Sequence, residues 1–169
     1  MSAARFRLER LAKHDRSAFA SGSDPLDRYL KSQASQDVQR HVTACFVAVE
    51  QRTDKVAGYY TLSAADVRLT DVPEAVASRL PRYPSVPVAL VSRLAVDRSF
   101  RGLKLGASLL YDAALRSARS EIAVFAILVD AKDESAAAFY RHHGFRPLAS
   151  ESHRLLLPIT QIATLEGPR

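Results

Sequence analysis

Cysteine is almost absent from this sequence, and long hydrophobic runs are lacking. Cys45 is the only cysteine in 169 residues, so no disulfide can form within the chain, which suits a reducing compartment. Residues 1–10 are charged and show no signal-peptide pattern, and no segment approaches the length of a membrane span. We therefore expect a cytoplasmic protein.

Motifs of several enzyme classes are missing as well. The five histidines show no metal-ligand spacing, so we expect no bound metal. The chain has neither the Gly-Lys-Ser/Thr of a Walker loop nor the three-glycine fingerprint of a dinucleotide-binding turn. Cys45 lies in an apolar run, which predicts a buried structural thiol and not a nucleophile.

Length and charge narrow the class further. A chain of 169 residues fits a single domain, here residues 1–169. The net charge of +6 favours an anionic partner such as nucleic acid, a nucleotide cofactor or acidic lipid. Charge alone does not separate these partners, since many soluble proteins are basic.

Hydrophobic periodicity predicts an α/β (α+β) protein with one mixed sheet and helices on both faces. Residues 66–87 contain four prolines and are predicted to be irregular, with one short helix over 73–80. The predicted strands cover residues 6–11, 43–50, 56–64, 88–96, 122–129, 145–148 and 155–158. The predicted helices run from Ser23-Asp24-Pro25 to near Arg40, over 105–119 and over 133–142.

The turn at residues 101–106 lies between a predicted strand and a predicted helix. The first N–H groups of such a helix are unpaired and its dipole is positive there, so the turn can cradle a phosphate. Gly102 and Gly106 let a bulky anion approach the backbone, while Arg98, Arg101 and Lys104 add positive charge. An ordinary strand–helix loop with solvated basic residues would show the same pattern.

Tyr140 occupies a defined place on the helix predicted to end near Gly144. It shares one helical face with Ala136, Phe139 and His143, and that face is expected to look inward. An inward phenol needs a hydrogen-bond partner. The pattern fits a proton-donating tyrosine, but taken without context it favours a core tyrosine that has no chemical role.

These residues carry a resemblance to a known family. Residues 91–145 resemble the GNAT superfamily of acetyl-CoA-dependent N-acetyltransferases. The 101–106 turn is similar to that family's pyrophosphate loop, Gln/Arg-x-x-Gly-x-Gly/Ala, and residues 133–145 are similar to its closing helix. Two positions depart from the pattern, because Lys104 replaces a glycine and Asp133 stands where many members have asparagine.

The resemblance implies a single-domain GNAT fold with a mixed, mostly antiparallel central sheet. It implies acetyl-CoA as the cofactor and Tyr140 as the general acid that protonates the departing thiolate. An unperturbed tyrosine has a pKa of about 10 and a thiol one of about 8.5. The cofactor-binding residues that it implies are Leu94, Ala95, Val96, Arg101, Gly102, Leu103, Lys104, Leu105, Gly106, Ala107 and Asp133.

A narrower resemblance covers nearly the whole chain. His14-Asp15 and residues 24–30, 58–62 and 92–97 are similar to the GNAT toxins of bacterial type II toxin–antitoxin systems. Ser92 stands where those toxins usually have glycine. The resemblance implies acetylation of the α-amino group of aminoacyl-tRNA, inhibition of translation, a ribbon-helix-helix antitoxin and a homodimer.

The chemistry of an α-amino acceptor agrees with this sequence. An α-amino group has a pKa of about 8, against roughly 10.4 for lysine, so it needs little help from a general base. No glutamate adjoins the 94–96 strand, where Ser92 and Arg93 lie instead. A base acting through water from elsewhere in the fold stays open.

A tRNA acceptor would need phosphate contacts from basic side chains. The candidates are Arg79, Arg82, Arg93, Arg98 and Arg141. Tyr83, Tyr59 or Tyr60 could stack on a terminal base, although one of the last two is expected to face the core.

Two other functions stay open on sequence alone. One is a GNAT enzyme that acetylates a small amine or a peptide or protein N-terminus, for which an acidic acceptor pocket is expected. The other is a pseudoenzyme that only binds a partner protein, for which Tyr140 would be dispensable.

Overall fold

The computed structural model describes residues 4–164. The strands are β1 (Phe6–Arg10), β2 (Ala44–Glu50), β3 (Val56–Arg68), β4 (Ser85–Val91), β5 (Leu94–Val96), β6 (Ala126–Asp130), β7 (Arg146–Pro147) and β8 (Arg154–Pro158). The α-helices are α1 (Asp24–Ser32), α2 (Ala34–Gln39), α3 (Glu74–Ala77), α4 (Leu105–Ala118) and α5 (Glu134–His142). Short 3₁₀ turns cover Leu69–Asp71, Arg98–Phe100 and Ile159–Thr164.

The described chain divides into two compact units that interleave along the sequence. The first contains residues 4–62 and 93–112, and the second contains residues 63–92 and 113–164. Strand β3 and helix α4 each supply residues to both units. The ladders are antiparallel, apart from the parallel pairing of β4 with β6 in this part of the chain. The predicted mixed, mostly antiparallel α/β fold is confirmed.

In the first unit, β1, β2 and the beginning of β3 form an antiparallel ladder, and β5 pairs with the other edge of β3. Two neighbouring tyrosines of β3 show how this sheet is covered. Tyr59 donates its hydroxyl to the carbonyl of Leu26 in α1 at 2.7 Å, and Tyr60 donates to Asp112 in α4 at 2.6 Å. Because successive strand residues point to opposite faces, helices cover both faces here, as predicted.

Aromatic rings fill the core of the first unit. The Tyr59 ring stacks with Tyr29 of α1 at 6.4 Å between centroids and meets Phe19 edge-on at 5.7 Å. Leu30, Cys45 and other buried apolar residues surround them. This packing fixes α1 against β3, since aromatic pairs in these arrangements are favourable beyond their buried area.

In the second unit, the end of β3 pairs with β4, β4 with β6, β6 with β8, and β8 with β7. Its core is aliphatic and includes Val88, Leu128 and Leu156, which are fully buried. Strand β6 is buried over four consecutive residues, which is typical of a strand covered on both faces.

Several predicted boundaries are wrong. The strand predicted over 88–96 is two strands, because β4 ends at Val91 and β5 begins at Leu94. The region predicted to be irregular begins and ends in strand, since β3 extends to Arg68 and β4 starts at Ser85. The helix predicted to reach Arg40 is interrupted at Gln33.

The strand predicted over 122–129 begins only at Ala126. Ile122 is β-branched, and its sequence pattern predicts a strand, but the residue is 77% exposed in the turn before β6. The strand predicted over 145–148 is the two-residue β7.

We predict that Gly58→Ala destabilises the first unit. An added Cβ would lie 3.0 Å from the Ala95 carbonyl oxygen and 3.0 Å from a methyl of Leu109, so β5 would have to shift. The expected loss is about 1–3 kcal/mol in the free energy of unfolding, measured by urea denaturation. Ala64→Ser, on an exposed part of the same strand, is the control and should change it by less than about 0.5 kcal/mol. An unchanged urea midpoint for Gly58→Ala would contradict this close approach of β3 and β5.

Candidate active site

Strand β5 has one free edge. Its ladder with β3 pairs Ala95 with Tyr59, and the flanking bonds run from the Thr61 amide to the Arg93 carbonyl and from the Asp97 amide to the Ala57 carbonyl. In an antiparallel ladder the intervening residues point their N–H groups the other way. The amides of Leu94 and Val96 therefore face an edge that no other strand of residues 4–164 covers. They are available to hold a ligand carbonyl or amide.

The predicted phosphate loop follows β5 and is exposed from Arg101 through Lys104. Gly102 has φ +78° and Lys104 has φ +59°, so the backbone turns through the left-handed region twice before α4 begins. The Lys104 carbonyl accepts the Ser108 amide at 3.1 Å, which makes Lys104 the first residue of the helical hydrogen-bond pattern. The first amides of α4, from Leu105 on, thus open toward the loop, as a phosphate cradle requires.

Lys104 accordingly occupies the place that the family pattern gives to glycine, in the conformation that glycine adopts without strain. A lysine in this region carries a conformational cost of about 1 kcal/mol, and its ammonium group stands at the start of a helix where an anion is favoured.

The side chain of Arg101 points to the protein and not into the loop. Its guanidinium donates to the Ser21 carbonyl at 2.6 Å. Arg98 is exposed, with its guanidinium beside Gly22. Of the predicted cofactor loop, therefore, the backbone from Gly102 to Ala107 and the Lys104 side chain are free to meet an anion.

Arg93, which immediately precedes β5, lies over an aromatic ring. Its guanidinium carbon is 3.6 Å from the centroid of Tyr29, a close cation–π contact. Tyr29 in turn donates to Asp37 at 2.8 Å. Arg93 is half-buried, so its orientation is set by packing before any substrate binds.

Tyr140 lies in α5 of the second unit and is 5% exposed. Its ring contacts Phe139 and Phe145, with centroids 5.2 and 5.7 Å away. Burial raises the pKa of Tyr140 above its ordinary value, and the nearby Asp130 carboxylate adds to the increase. The phenol is therefore neutral and carries its proton at physiological pH.

The Tyr140 hydroxyl has no hydrogen-bond partner among the described residues, contrary to the expectation for an inward phenol. Over the same part of the chain, no fully buried side-chain oxygen lacks a partner. The hydroxyl oxygen is therefore not sealed inside the protein, and it retains contact with open space.

Asp133 caps α5. Its carboxylate accepts the Ala136 amide at 2.8 Å, so the side chain has a structural partner of its own. Arg141, near the end of the helix, forms an ion pair with Glu134, the first helical residue. His153 lies 3.3 Å from the same carboxylate. The predicted RNA contact Arg141 is thus engaged within the protein, although it is exposed.

The remaining predicted RNA contacts lie in the second unit. Arg79 and Arg82 are exposed on the segment between α3 and β4, and Tyr83 beside them is 64% exposed. Tyr59 and Tyr60 are both fully buried with bonded hydroxyls, so the expectation that one of them could stack on a base is wrong.

Other expectations concern groups outside this site. No cluster of potential metal ligands occurs among residues 4–164, and no helix in that range is long and apolar enough to cross a membrane. Cys45 is buried, and burial raises the pKa of its thiol to about 12. A neutral, inaccessible thiol is not a nucleophile, which agrees with the predicted structural role.

Three functional neighbours were missed by sequence reasoning. Tyr29 supports Arg93, Asp97 accepts two backbone amides beside the loop, and Asp112 accepts the Tyr60 hydroxyl. Each contact joins residues far apart in sequence. Only Asp97 has a local sign of its role in the sequence. It is an acidic residue directly after the 94–96 strand and before a turn, a place where capping residues are common.

A family model described as an acetyltransferase (GNAT) domain matches residues 41–147, more than half of the chain. The chain therefore belongs to the GNAT family of acetyltransferases.

Relatives within that family are similar over nearly the full length. A tRNA-acetylating toxin of Mycobacterium tuberculosis (strain ATCC 25618 / H37Rv) is 37% identical over 155 residues, covering 90% of this chain and 91% of the relative. A probable toxin TacT of Sinorhizobium fredii (strain NBRC 101917 / NGR234) is 30% identical over 164 residues, covering 92% and 91%. A solved structure of AtaT complexed with acetyl-methionyl-tRNAfMet superposes with a TM-score of 0.85 at 26% identity, covering 95% of this chain and 98% of that one.

We predict that Lys104→Gly stabilises the protein by about 0.5–1 kcal/mol, because glycine adopts the left-handed backbone without strain. Gly102→Ala is the matched comparison. It has open space for a methyl group, so only its φ of +78° opposes the change, and a loss of about 1 kcal/mol is expected. Both are measured by thermal and urea unfolding. A loss of stability in Lys104→Gly would contradict the assigned conformation.

We also predict that Cys45 is unreactive in the folded protein. At pH 8 a disulfide reagent such as dithiobis-nitrobenzoate should label the native chain at least about a hundredfold more slowly than the chain unfolded in guanidinium, since thiolate and access are both lacking. Complete labelling of the unfolded chain is the control. Rapid labelling of native protein would show that Cys45 is accessible.

Proposed function

We propose that this GNAT acetyltransferase transfers the acetyl group of acetyl-CoA to the α-amino group of an aminoacyl-tRNA, and that it is the toxin of a type II toxin–antitoxin system. The observation that carries the proposal is the 37% identity, over nine-tenths of the chain, to a protein named tRNA-acetylating toxin. The AtaT neighbour complexed with an acetylated aminoacyl-tRNA supports the same substrate.

The residues present fit acetyl-CoA. The backbone from Gly102, which is exposed as far as Lys104, leads into the first turn of α4, whose unpaired N–H groups can meet its phosphates, and Lys104 adds a positive charge. The free edge of β5 offers the amides of Leu94 and Val96 to its amide and thioester carbonyls. A solved structure of AtaTR bound with AcCoA supports this assignment. Asp133 we assign to capping α5, with any cofactor contact secondary.

Acetyl-CoA supplies an activated acetyl thioester, and the chain's own residues then position groups and move a proton. The β5 amides polarise the acetyl carbonyl oxygen. Tyr140 gives its hydroxyl proton to the departing sulfur, a role that suits a phenol kept neutral by burial. Solved neighbours include phenylalanine-for-tyrosine variants of KacT and AtaT, which supports a chemical role for one tyrosine in this group.

The acceptor amine needs no strong base from the protein. In residues 92–98 the one carboxylate is that of Asp97, and it is occupied by the amides of Ala20 and Ser99. An α-amino group with a pKa of about 8 is partly neutral at physiological pH, whereas a lysine side chain is not. This favours an α-amine over a lysine side chain as acceptor.

The tRNA would bind by phosphate contacts from exposed arginines. We assign this role to Arg79, Arg82 and Arg98, with Tyr83 available for stacking. Arg93, fixed on Tyr29, would orient the acceptor end, and Arg141 would contribute only if its ion pair with Glu134 opens. The net charge of +6 is consistent with such a partner.

We further propose a single catalytic domain that functions in the cytoplasm as a homodimer and is neutralised by a ribbon-helix-helix antitoxin. The single buried cysteine suits a reducing compartment. AtaT bound to the C-terminus of the antitoxin AtaR, and a KacTA–DNA complex, support an antitoxin partner in this group.

The test is to incubate the purified protein with labelled acetyl-CoA and total aminoacyl-tRNA. Label is expected in charged tRNA and not in deacylated tRNA, and transfer should weaken steeply as salt rises. Tyr140→Phe should lower the transfer rate by about 10²–10⁴-fold, the usual range for a lost general acid.

Tyr111→Phe is the matched control, because it removes a half-buried phenol outside the proposed site. Its rate should equal that of the wild type. Transfer to small amines or peptide N-termini without transfer to tRNA would replace the proposed substrate, and unchanged transfer in Tyr140→Phe would remove the general-acid role.

A further inference from the structure

A short segment near the N-terminus runs alongside the beginning of the acetyl-CoA loop. We call residues 20–22 the strap. The Ala20 amide donates to one carboxylate oxygen of Asp97 at 2.9 Å, and the Ala20 carbonyl accepts the Arg98 amide at 2.9 Å. The Ser21 carbonyl accepts the guanidinium of Arg101 at 2.6 Å. The strap thus bonds to three of the five residues from Asp97 to Arg101.

Two polar residues at the centre of this contact, Asp97 and Ser21, are buried, so both need hydrogen-bond partners within the protein. Asp97 is 8% exposed, and its second carboxylate oxygen accepts the Ser99 amide at 2.8 Å. Ser21 is 6% exposed, and its hydroxyl and amide both bond Asp27 of α1, at 2.6 and 3.0 Å. A buried polar group that loses its partner costs about 1–3 kcal/mol, so the arrangement has little freedom to slide.

Gly22 completes the strap. Its φ is +98°, and a Cβ there would lie 3.0 Å from the Arg101 guanidinium nitrogen. The backbone can therefore turn away toward α1 while Arg101 stays in contact with Ser21. By contrast, the loop from Arg101 to Lys104 is exposed. The strap holds the first residue of this loop, Arg101, in place.

We propose that Asp97 and Arg101 are positioning residues for acetyl-CoA, which hold the cofactor loop against the strap so that its amides meet the phosphates. Arg101 acts through the Ser21 carbonyl and is not itself a phosphate ligand. The inference rests on the proposed function of this loop, and it goes beyond that function by making an N-terminal segment part of the cofactor site.

Asp97→Asn separates positioning from simple charge. Removing a negative charge beside the loop would by itself strengthen binding of an anionic ligand. Asparagine, however, offers one oxygen where two amides need acceptors, so a positioning role predicts weaker binding. The dissociation constant for acetyl-CoA, measured by calorimetry, is expected to rise about tenfold, since small misplacements of a binding group are costly.

Two further variants, Arg101→Ala and Gly22→Ala, test the contact between the strap and Arg101. Each is expected to raise the acetyl-CoA dissociation constant about tenfold. The salt dependence of binding should stay as in the wild type, because no phosphate contact is lost, and the transfer rate at saturating acetyl-CoA should stay within about twofold. Ser99→Ala, which keeps the amide bonded to Asp97, is the control and should bind normally.

The outcomes distinguish this inference from the proposed function. Failure of the wild type to bind acetyl-CoA would overturn both, whereas wild-type binding with tighter or unchanged binding in Asp97→Asn would overturn only the strap. A flattened salt dependence in Arg101→Ala would make Arg101 a phosphate ligand and overturn it as well. If Asp97→Asn does not fold, as judged by thermal unfolding, Arg101→Ala at the exposed end decides the question.

Discussion

The three-residue ladder between β5 and β3 is the constraint on which the proposed acetyl-CoA site depends. It leaves the amides of Leu94 and Val96 on a free edge, and it delivers Asp97 directly into the turn that leads to the phosphate loop. Gly58 allows the ladder to be this close, because any side chain there would meet β5. One backbone register thereby brings the amides that we assign to the thioester and those that we assign to the phosphates into a single stretch of chain.

The basic residues of this chain have two different roles, and the net charge of the chain does not distinguish them. Arg93 is committed to the Tyr29 ring, Arg101 to a backbone carbonyl and Arg141 to a carboxylate. Arg79 and Arg82 stand exposed on the segment before β4. The charges of the first group are engaged in contacts within the protein. Fewer cationic groups are therefore available to an anionic partner than the net charge of the chain suggests.

Sequence reasoning predicted the family and most elements, because each has a local signature of period, glycine or capping residue; the phosphate-loop assignment stays a prediction. It could not divide the apolar run 88–96, since β4 and β5 both pair with β3, and the change of register between them leaves no mark on hydrophobicity. It expected one of Tyr59 and Tyr60 to be accessible, yet helices cover both faces of β3 there. Contacts such as Arg93 on Tyr29 join residues distant in the chain, and a single sequence does not reveal them.

The involvement of the N-terminal segment has a consequence for where a working fragment of this protein can begin. The family match starts at residue 41, and a chain trimmed to that boundary would keep both glycines of the phosphate loop and the Tyr140 helix. It would nevertheless lose the Leu26 carbonyl beneath Tyr59, the aromatic platform of Arg93 and the carbonyl that holds Arg101. The segment that the family model matches therefore leaves out residues that hold the candidate site, and we expect a tag or deletion near residues 20–30 to weaken cofactor binding.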